Sequence, residues 1–130
     1  MKISITQNGF TLIEVMITVS IVAILVALAI PSYTHFVRKA NRGEAQEILL
    51  NWSNNQEIWR ASHTTYADET TTLGVPVHER YTFTVSGVTS SAYTLTATTT
   101  GSQVGDRDGG ASCDVLSLDQ SNARSPASCW

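Results

Sequence analysis

The sequence is poor in charge, in cysteine, and in the spacings that build catalytic or metal sites. Charged residues make up only 15% of the chain, well below the roughly 25% of an average soluble domain. Eight Lys and Arg stand against 11 Asp and Glu, for a net charge of -3. That balance argues against a broadly basic nucleic-acid binder. Two cysteines cannot make a dense disulfide scaffold, and they lack the C-x-x-C spacing of a redox pair. His35, His63 and His78 show no H-x-x-x-H or H-E-x-x-H spacing, and the abundant Ser and Thr form no G-x-S-x-G. No catalytic constellation emerges, so an enzyme is not expected and no cofactor is implied. A length of 130 residues suits one domain, not two.

What the chain does have is one long apolar run. The mean hydropathy is near zero, but that average cancels an apolar stretch at 10–30 against a Thr-, Ser- and Gly-rich region at 62–130. As a helix, FTLIEVMITVSIVAILVALAI covers roughly 30 Å, one bilayer core. Three readings compete. The run is a retained membrane helix, a secretory signal cut at Ala27-Leu28-Ala29, or a buried core helix. The last is weakest, because the small remainder of the chain can hardly surround a helix apolar on all sides. The signal peptide is disfavoured because the run exceeds an ordinary h-region and contains an acid, Glu14. Thr11, Thr18 and Ser20 are polar but can bond back to the helix backbone. Glu14 either rests at headgroup level near the positive end of the helix dipole, or pairs with a cation at the same depth on another subunit.

Gly9-Phe10-Thr11-Leu12-Ile13-Glu14 resembles the GFTLIE motif of type IV prepilins and of the related pseudopilins of type II secretion. The likeness continues through Val15-Met16-Ile17 to Ala29-Ile30-Pro31-Ser32-Tyr33 and covers about the first 55 residues well. It implies a leader over 1–9, cleavage by prepilin peptidase between Gly9 and Phe10, and N-methylation of Phe10. It also implies that Glu14 pairs with the N-terminal amine of a neighbouring subunit during assembly, and that Pro31 kinks the helix. The pairing has a physical basis, since one buried charge is costly and a matched pair favours a single axial register. Positive charge runs against the implied topology: Lys2 flanks the N-side, while Arg38, Lys39 and Arg42 flank the C-side. The motif and the cysteines outweigh that count.

Beyond Pro31 the apolar residues become periodic. Tyr33, Phe36, Val37, Ala40, Ala45, Ile48, Leu49, Trp52 and Trp59 form one helical face, with Arg38, Lys39, Arg42, Glu44, Glu47, Gln56, Glu57 and Arg60 between them. The helix is predicted from Phe10 to near Ala61, roughly 75 to 80 Å at the standard rise. The stripe is read as core packing against a sheet. The trio Arg38, Lys39 and Arg42 is read as a solvated or headgroup-facing cluster in preference to a nucleic-acid site.

Residues 62–80 have no sustained period and read as a long connection. YTFTVS at 81–86 and YTLTAT at 93–98 alternate with period 2, placing Tyr81, Phe83 and Val85 on one face and Tyr93, Leu95 and Ala97 on another. Residues 87–92 form the hairpin connection. A third strand is predicted around 113–119 with Val115 in phase with Cys113, and a fourth short strand or loop ends the chain. Bridged, Cys113 and Cys129 close a ring worth about 3 kcal/mol in the chain-entropy model. The resemblance implies such a disulfide near the C-terminus, and the Cys129-Trp130 ending resembles PilE-type minor pilins. Asp106, Asp108 and Asp114 are weak calcium-ligand candidates around the glycines at 105, 109 and 110, but the loop lacks a twelfth-position Glu, and a polar turn is preferred.

The fold expected is therefore α+β, the pilin fold. A long N-terminal helix of about 50 residues packs on a small antiparallel β-sheet with a C-terminal disulfide loop. The organisation expected is a leader at 1–9, a transmembrane and filament-core helix at 10–31, and the amphipathic half of the helix at 32–61. A globular head follows at 62–130, with its disulfide-bounded region at 113–129. From residue 62 onward there are seven acids and three bases, a hydroxyl-rich acidic surface poorly suited to general DNA binding. The function implied is a structural subunit of a type IV pilus, more specifically a minor pilin serving assembly or initiation, and hence attachment or twitching motility. Alternatives are a type II secretion pseudopilin, a soluble periplasmic binding module cleaved after Ala29, and a DNA-uptake pilin. Implied partners are other major and minor pilins, the prepilin peptidase and the inner-membrane assembly platform; nucleic acid is not expected. Implied locations are the bacterial inner membrane as a single pass with the head periplasmic, then the extracellular pilus.

Overall fold

A computed structural model describes residues 9–71 and 73–130, with the side chain of Pro31 excepted. The expected leader, apart from Gly9, and Lys2 within it lie outside the described residues. The first element, α1, runs from Leu12 to Arg60 over 49 residues. It begins where Thr11 caps it: the Glu14 backbone N–H donates to Thr11 Oγ1 at 3.3 Å. It ends as Ala61 N–H reaches Glu57 O at 3.1 Å and the next amide, of Ser62, shortens its step to Trp59 O at 3.1 Å. Arg60 fixes that end by donating to the carbonyls of His63 and Ser90. The sequence-based limits at Phe10 and Ala61 thus shift inward by the cap and the closing turn. Position 31 lies inside α1. A proline there offers no N–H to the carbonyl four residues back.

The chain divides into two units between His35 and Phe36. In the first, the apolar side chains of residues 10–30 are exposed, from Phe10 at 84% to Val26 at 48%. This stretch makes α1 long and apolar enough to cross a membrane. Thr18 Oγ1 donates to Glu14 O at 2.8 Å and Ser20 Oγ to Met16 O at 2.7 Å. These polar groups are therefore satisfied without water, as a lipid environment requires.

In the second unit, β1 (Tyr81–Ser86), β2 (Thr94–Thr99), β5 (Val115–Asp119) and β6 (Arg124–Ser125) make an antiparallel sheet in the order β1-β2-β5-β6. A separate short hairpin joins β3 (Arg107–Asp108) to β4 (Ala111–Ser112). Register places Phe83 opposite Ala97 and Ala97 opposite Leu116; Val85 faces Leu95, which faces Leu118. With Tyr81 and Tyr93 these residues form one apolar face, packed on Ala45, Leu49 and Trp52 of α1. Trp52 meets Phe83 edge-on, ring centroids 6.5 Å apart. The opposite face is mostly hydroxyls, with Thr84, Thr96, Ser117 and Ser125 aligned across the four strands. This is the α+β architecture expected from the sequence.

Three local expectations need correction. Val115 is half exposed while Leu116 and Leu118 are buried. The strand therefore changes phase after Cys113, because Asp114 turns its carboxylate back to the amides of Gly105 and Asp106. Tyr33 and Phe36, assigned to the packed stripe, are exposed at 70% and 66%. Conversely Arg42 and Gln56, assigned to the polar side, are buried. Gln56 lies in the stripe because its amide imitates a backbone pair, donating to Ala67 O at 2.9 Å and accepting from Ala67 N–H at 2.8 Å.

Candidate functional site

The N-terminal end carries the residues that the prepilin resemblance ties to processing and assembly. Gly9 and Phe10 are exposed, and a Cβ built at Gly9 meets nothing within 4 Å. Among the described residues there is therefore no packing reason for a glycine there. Glu14 lies in the first turn of α1, where the dipole favours a carboxylate. Thr11-x-x-Glu14 has the spacing of a capping box, and its Thr11 half is formed. Thr11 is thus a structural partner of Glu14 that the apolar run concealed, although the S/T-x-x-E spacing announces it.

The basic trio does not form a basic surface. Arg38 donates to Ser102 O and Gly105 O, each at 3.2 Å. Arg42 is 3% exposed, and its guanidinium is shared by Asp106 and Asp108. Arg42 Nη1 and Asp106 Oδ2 lie 3.3 Å apart, an ion pair that is not aligned as a hydrogen bond. Of the three, only Lys39 is left exposed without such a partner among the described residues. The reason is the segment at 101–108, which folds against α1. Gln103, fully buried, donates to Arg38 O at 2.9 Å and Tyr81 Oη at 3.1 Å, and accepts from Asn41 at 3.0 Å.

This latch perturbs its titratable groups. Burial pushes the Asp106 carboxyl above its ordinary range, against the attraction of Arg42 and Arg38. Burial, aided by the Asp106 charge, pushes Tyr81 up to about 12. Asp114 differs: burial raises it, but donors from Gly105 N–H, Ser112 Oγ, Thr99 Oγ1 and Asp106 N–H prevail and hold it low. Gly105 contributes through its backbone, with φ +85° in the left-handed region where only glycine is unstrained. The three candidate calcium ligands are thus divided between Arg42 and a cage of donors. Among the described residues no group of three His, Cys, Asp or Glu is placed to hold a metal ion.

The histidines have local partners. His63 stacks on Trp59 with centroids 3.7 Å apart and planes 4° from parallel. His78 Nδ1 accepts the Arg80 N–H at 3.1 Å, which puts the ring proton on Nε2, 3.2 Å from Glu44 Oε2. Cys113 and Cys129 are joined in a disulfide with a sequence separation of 16. Next to it, Gln46 Nε2 donates to Cys129 O at 2.6 Å, tying the chain end to α1. Lys39 and Trp130 line one small groove there, and the Arg124 guanidinium sits 5.1 Å from the Trp130 ring centroid. This corner joins cations to an aromatic ring, and no sequence pattern marks it because its residues lie far apart in the chain.

Comparison with known proteins adds the following. Residues 31–117 match the family described as type IV minor pilin ComP, DNA uptake sequence receptor. Residues 5–30 match the prokaryotic N-terminal methylation motif. The chain is 37% identical over 57 residues to prepilin peptidase-dependent protein D of Escherichia coli, covering 44% of this chain and 39% of that protein. It is 38% identical over 71 residues to the type IV major pilin protein PilE of Neisseria gonorrhoeae, covering 53% and 41%. The matched stretch thus spans well under half the length of these curated relatives. A type IV pilin structure from Shewanella oneidensis superposes with a TM-score of 0.58 at 23% identity, covering 72% of this chain and 97% of that one, which speaks to the fold.

Proposed function

We propose that this chain, which belongs to the type IV pilin family, serves as a minor subunit of a type IV pilus. The structural-subunit role is common to the family. The N-terminal methylation motif and the apolar part of α1 fit anchoring in the inner membrane before assembly into an extracellular pilus. The minor role is carried by one observation, the match of residues 31–117 to a family described as a minor pilin. In this reading prepilin peptidase cuts between Gly9 and Phe10, and Phe10 is N-methylated. Glu14 then pairs with the amine of a neighbouring Phe10, Pro31 kinks the helix, and residues 62–130 form the outer surface. Partners are other pilins, the peptidase and the assembly platform. Quantifying the chain in sheared pili tests the minor role. A small fraction of the major subunit is expected, and equal or greater abundance overturns it.

A second reading, a receptor for DNA during uptake, is favoured by the same family description. Arg38 and Arg42 are spent on internal contacts, so it falls to the Lys39, Arg124 and Trp130 corner. Two phosphate contacts there, one from each cation, give a log–log salt slope of about -2. Fluorescence anisotropy of labelled duplex DNA against salt tests it. A lack of binding at low salt removes it.

A further inference from the structure

The turn that leads into β1 is built around an imidazole used as a hydrogen-bond acceptor. A backbone N–H can only donate, so the 3.1 Å bond from Arg80 N–H requires a bare lone pair on His78 Nδ1. The other ring nitrogen carries the proton and faces Glu44 Oε2 of α1 at 3.2 Å. In turns of this kind Asn or Asp commonly accepts from the amide two residues on, and neither becomes a cation in acid. Histidine does the same work here with a side chain whose charge changes between about pH 5 and 8. Several contacts depend on the path of residues 77–80. Val77, 94% exposed, pairs with Thr82 in an isolated antiparallel bridge. Thr100 N–H donates to Arg80 O at 2.8 Å, and Arg80 Nη1 donates to Ser102 Oγ at 2.9 Å. The His78 side chain is 15% exposed, so a proton reaches it from solvent with the head still folded.

We propose that His78 is a proton switch that opens the turn at 77–80 in mild acid. Protonation puts an N–H on Nδ1, so two donors face each other where one hydrogen bond stood. The Arg80 amide then has no acceptor in the ring. Glu44 lies on the opposite side of the imidazole and attracts its charged form through Nε2. The ring therefore stays with α1, and the backbone of the turn gives way. Val77 loses its bridge to Thr82, and the surface beside α1 changes shape. Other charged groups flank the ring. On α1, exposed Glu47 lies one turn beyond Glu44 and adds negative charge. Glu79 is exposed, and Arg80 is directed to Ser102. Tyr81 of β1, with its ring centroid 5.8 Å from that of His78, is pushed up to about 12 by burial and stays neutral throughout. Arg42 and Asp106, which act on that phenol, are paired with each other. The segment at 100–102 brings no charge. The switch is separate from the Trp130 corner and independent of whether the chain is a minor subunit.

The test uses the full chain, ¹⁵N-labelled in detergent micelles, between about pH 8 and pH 5. The ¹⁵N resonance of His78 Nδ1 reports the loss of its lone pair. Hydrogen exchange of the Arg80 amide reports the turn, read as the ratio to His78→Asn at the same pH, which cancels the intrinsic pH dependence of exchange. Asn keeps an acceptor two residues before Arg80 and takes up no proton in this range. The ratio is expected to be near one at the alkaline end. It should rise about tenfold at the acid end, the weight of one good hydrogen bond. The rise should follow the protonation of the ring, and the Val77 amide resonance should shift along the same curve. A ratio that does not change with pH overturns the proposal. So does equal acid opening in His78→Asn, because another group then carries the sensitivity. In the wild-type chain alone, a ring that takes its proton while the Arg80 amide stays protected overturns it as well.

Discussion

Replacing Arg42 with Met tests how the segment at 101–108 is held to α1. The two side chains have similar volume, so the change removes charge without opening a large cavity. Arg42 is 3% exposed and Asp106 1% exposed, so the substitution strands a carboxylate away from water. Breaking a buried pair in this way costs about 3–5 kcal/mol, a large share of the 5–15 kcal/mol that typically stabilises a domain. Asp108 cannot make up the loss, because it too is an acid and its side chain is 35% exposed. The double variant Arg42→Met/Asp106→Asn should recover most of the deficit, since no buried charge is then left alone.

pH gives a second handle on the same pair. Asp106 is held above the ordinary carboxyl range by burial. Folding therefore favours its protonated form. That contribution is complete below the unfolded value of about 3.9 and is lost as pH rises through the folded value. Without Arg42 the folded value climbs further, so the deficit of Arg42→Met should be largest near neutrality and shrink toward about pH 4. Urea denaturation of the full chain in micelles, followed by near-UV circular dichroism, measures both effects. A deficit under about 1 kcal/mol at neutral pH, or one of equal size at both pH values, refutes the reasoning.

Other outcomes follow from the same structure. Cys113→Ser/Cys129→Ser should lower stability by about 3 kcal/mol in the same denaturation and release the chain end that Gln46 holds. Asp114→Ala should destabilise the head at neutral pH. Because the Asp114 carboxyl is held low, its contribution is present above about 3.9 and lost as pH falls through the folded value, so wild type and variant should converge in acid. Glu14→Ala should leave cleavage after Gly9 intact while reducing the chain in sheared pili, as read by immunoblot; normal incorporation would defeat the pairing role.

Much of this architecture was legible from pattern alone. YTFTVS and YTLTAT carry period 2 so plainly that Tyr81, Phe83, Val85, Leu95 and Ala97 were legible as inward residues, while Thr99, buried at the end of β2, was not. The length of α1 was legible because nothing interrupts its helical character except Pro31 and Gly43. Arg42 and Gln56 were misplaced for a different reason. Side-chain type says nothing of a partner at Asp106, far along the chain, or of a backbone pair at Ala67. Each looks polar alone and becomes a core residue only once its partner is counted. Val115 was misplaced because Asp114 spends its side chain on two amides and resets the alternation, which periodicity cannot foresee. The N-terminal methylation motif was legible in the hexapeptide at 9–14, while the Trp130 corner and the His78–Glu44 contact are products of folding. They join residues from α1 to distant loops.

The central claim is that α1 is a processed, retained pilin helix. The intact mass of the chain recovered from a sheared surface fraction tests this most directly. The account predicts a single species that begins at N-methylated Phe10 and lacks two hydrogens for the Cys113–Cys129 disulfide. A species beginning at Ile30, or one still carrying residues 1–9, would contradict it.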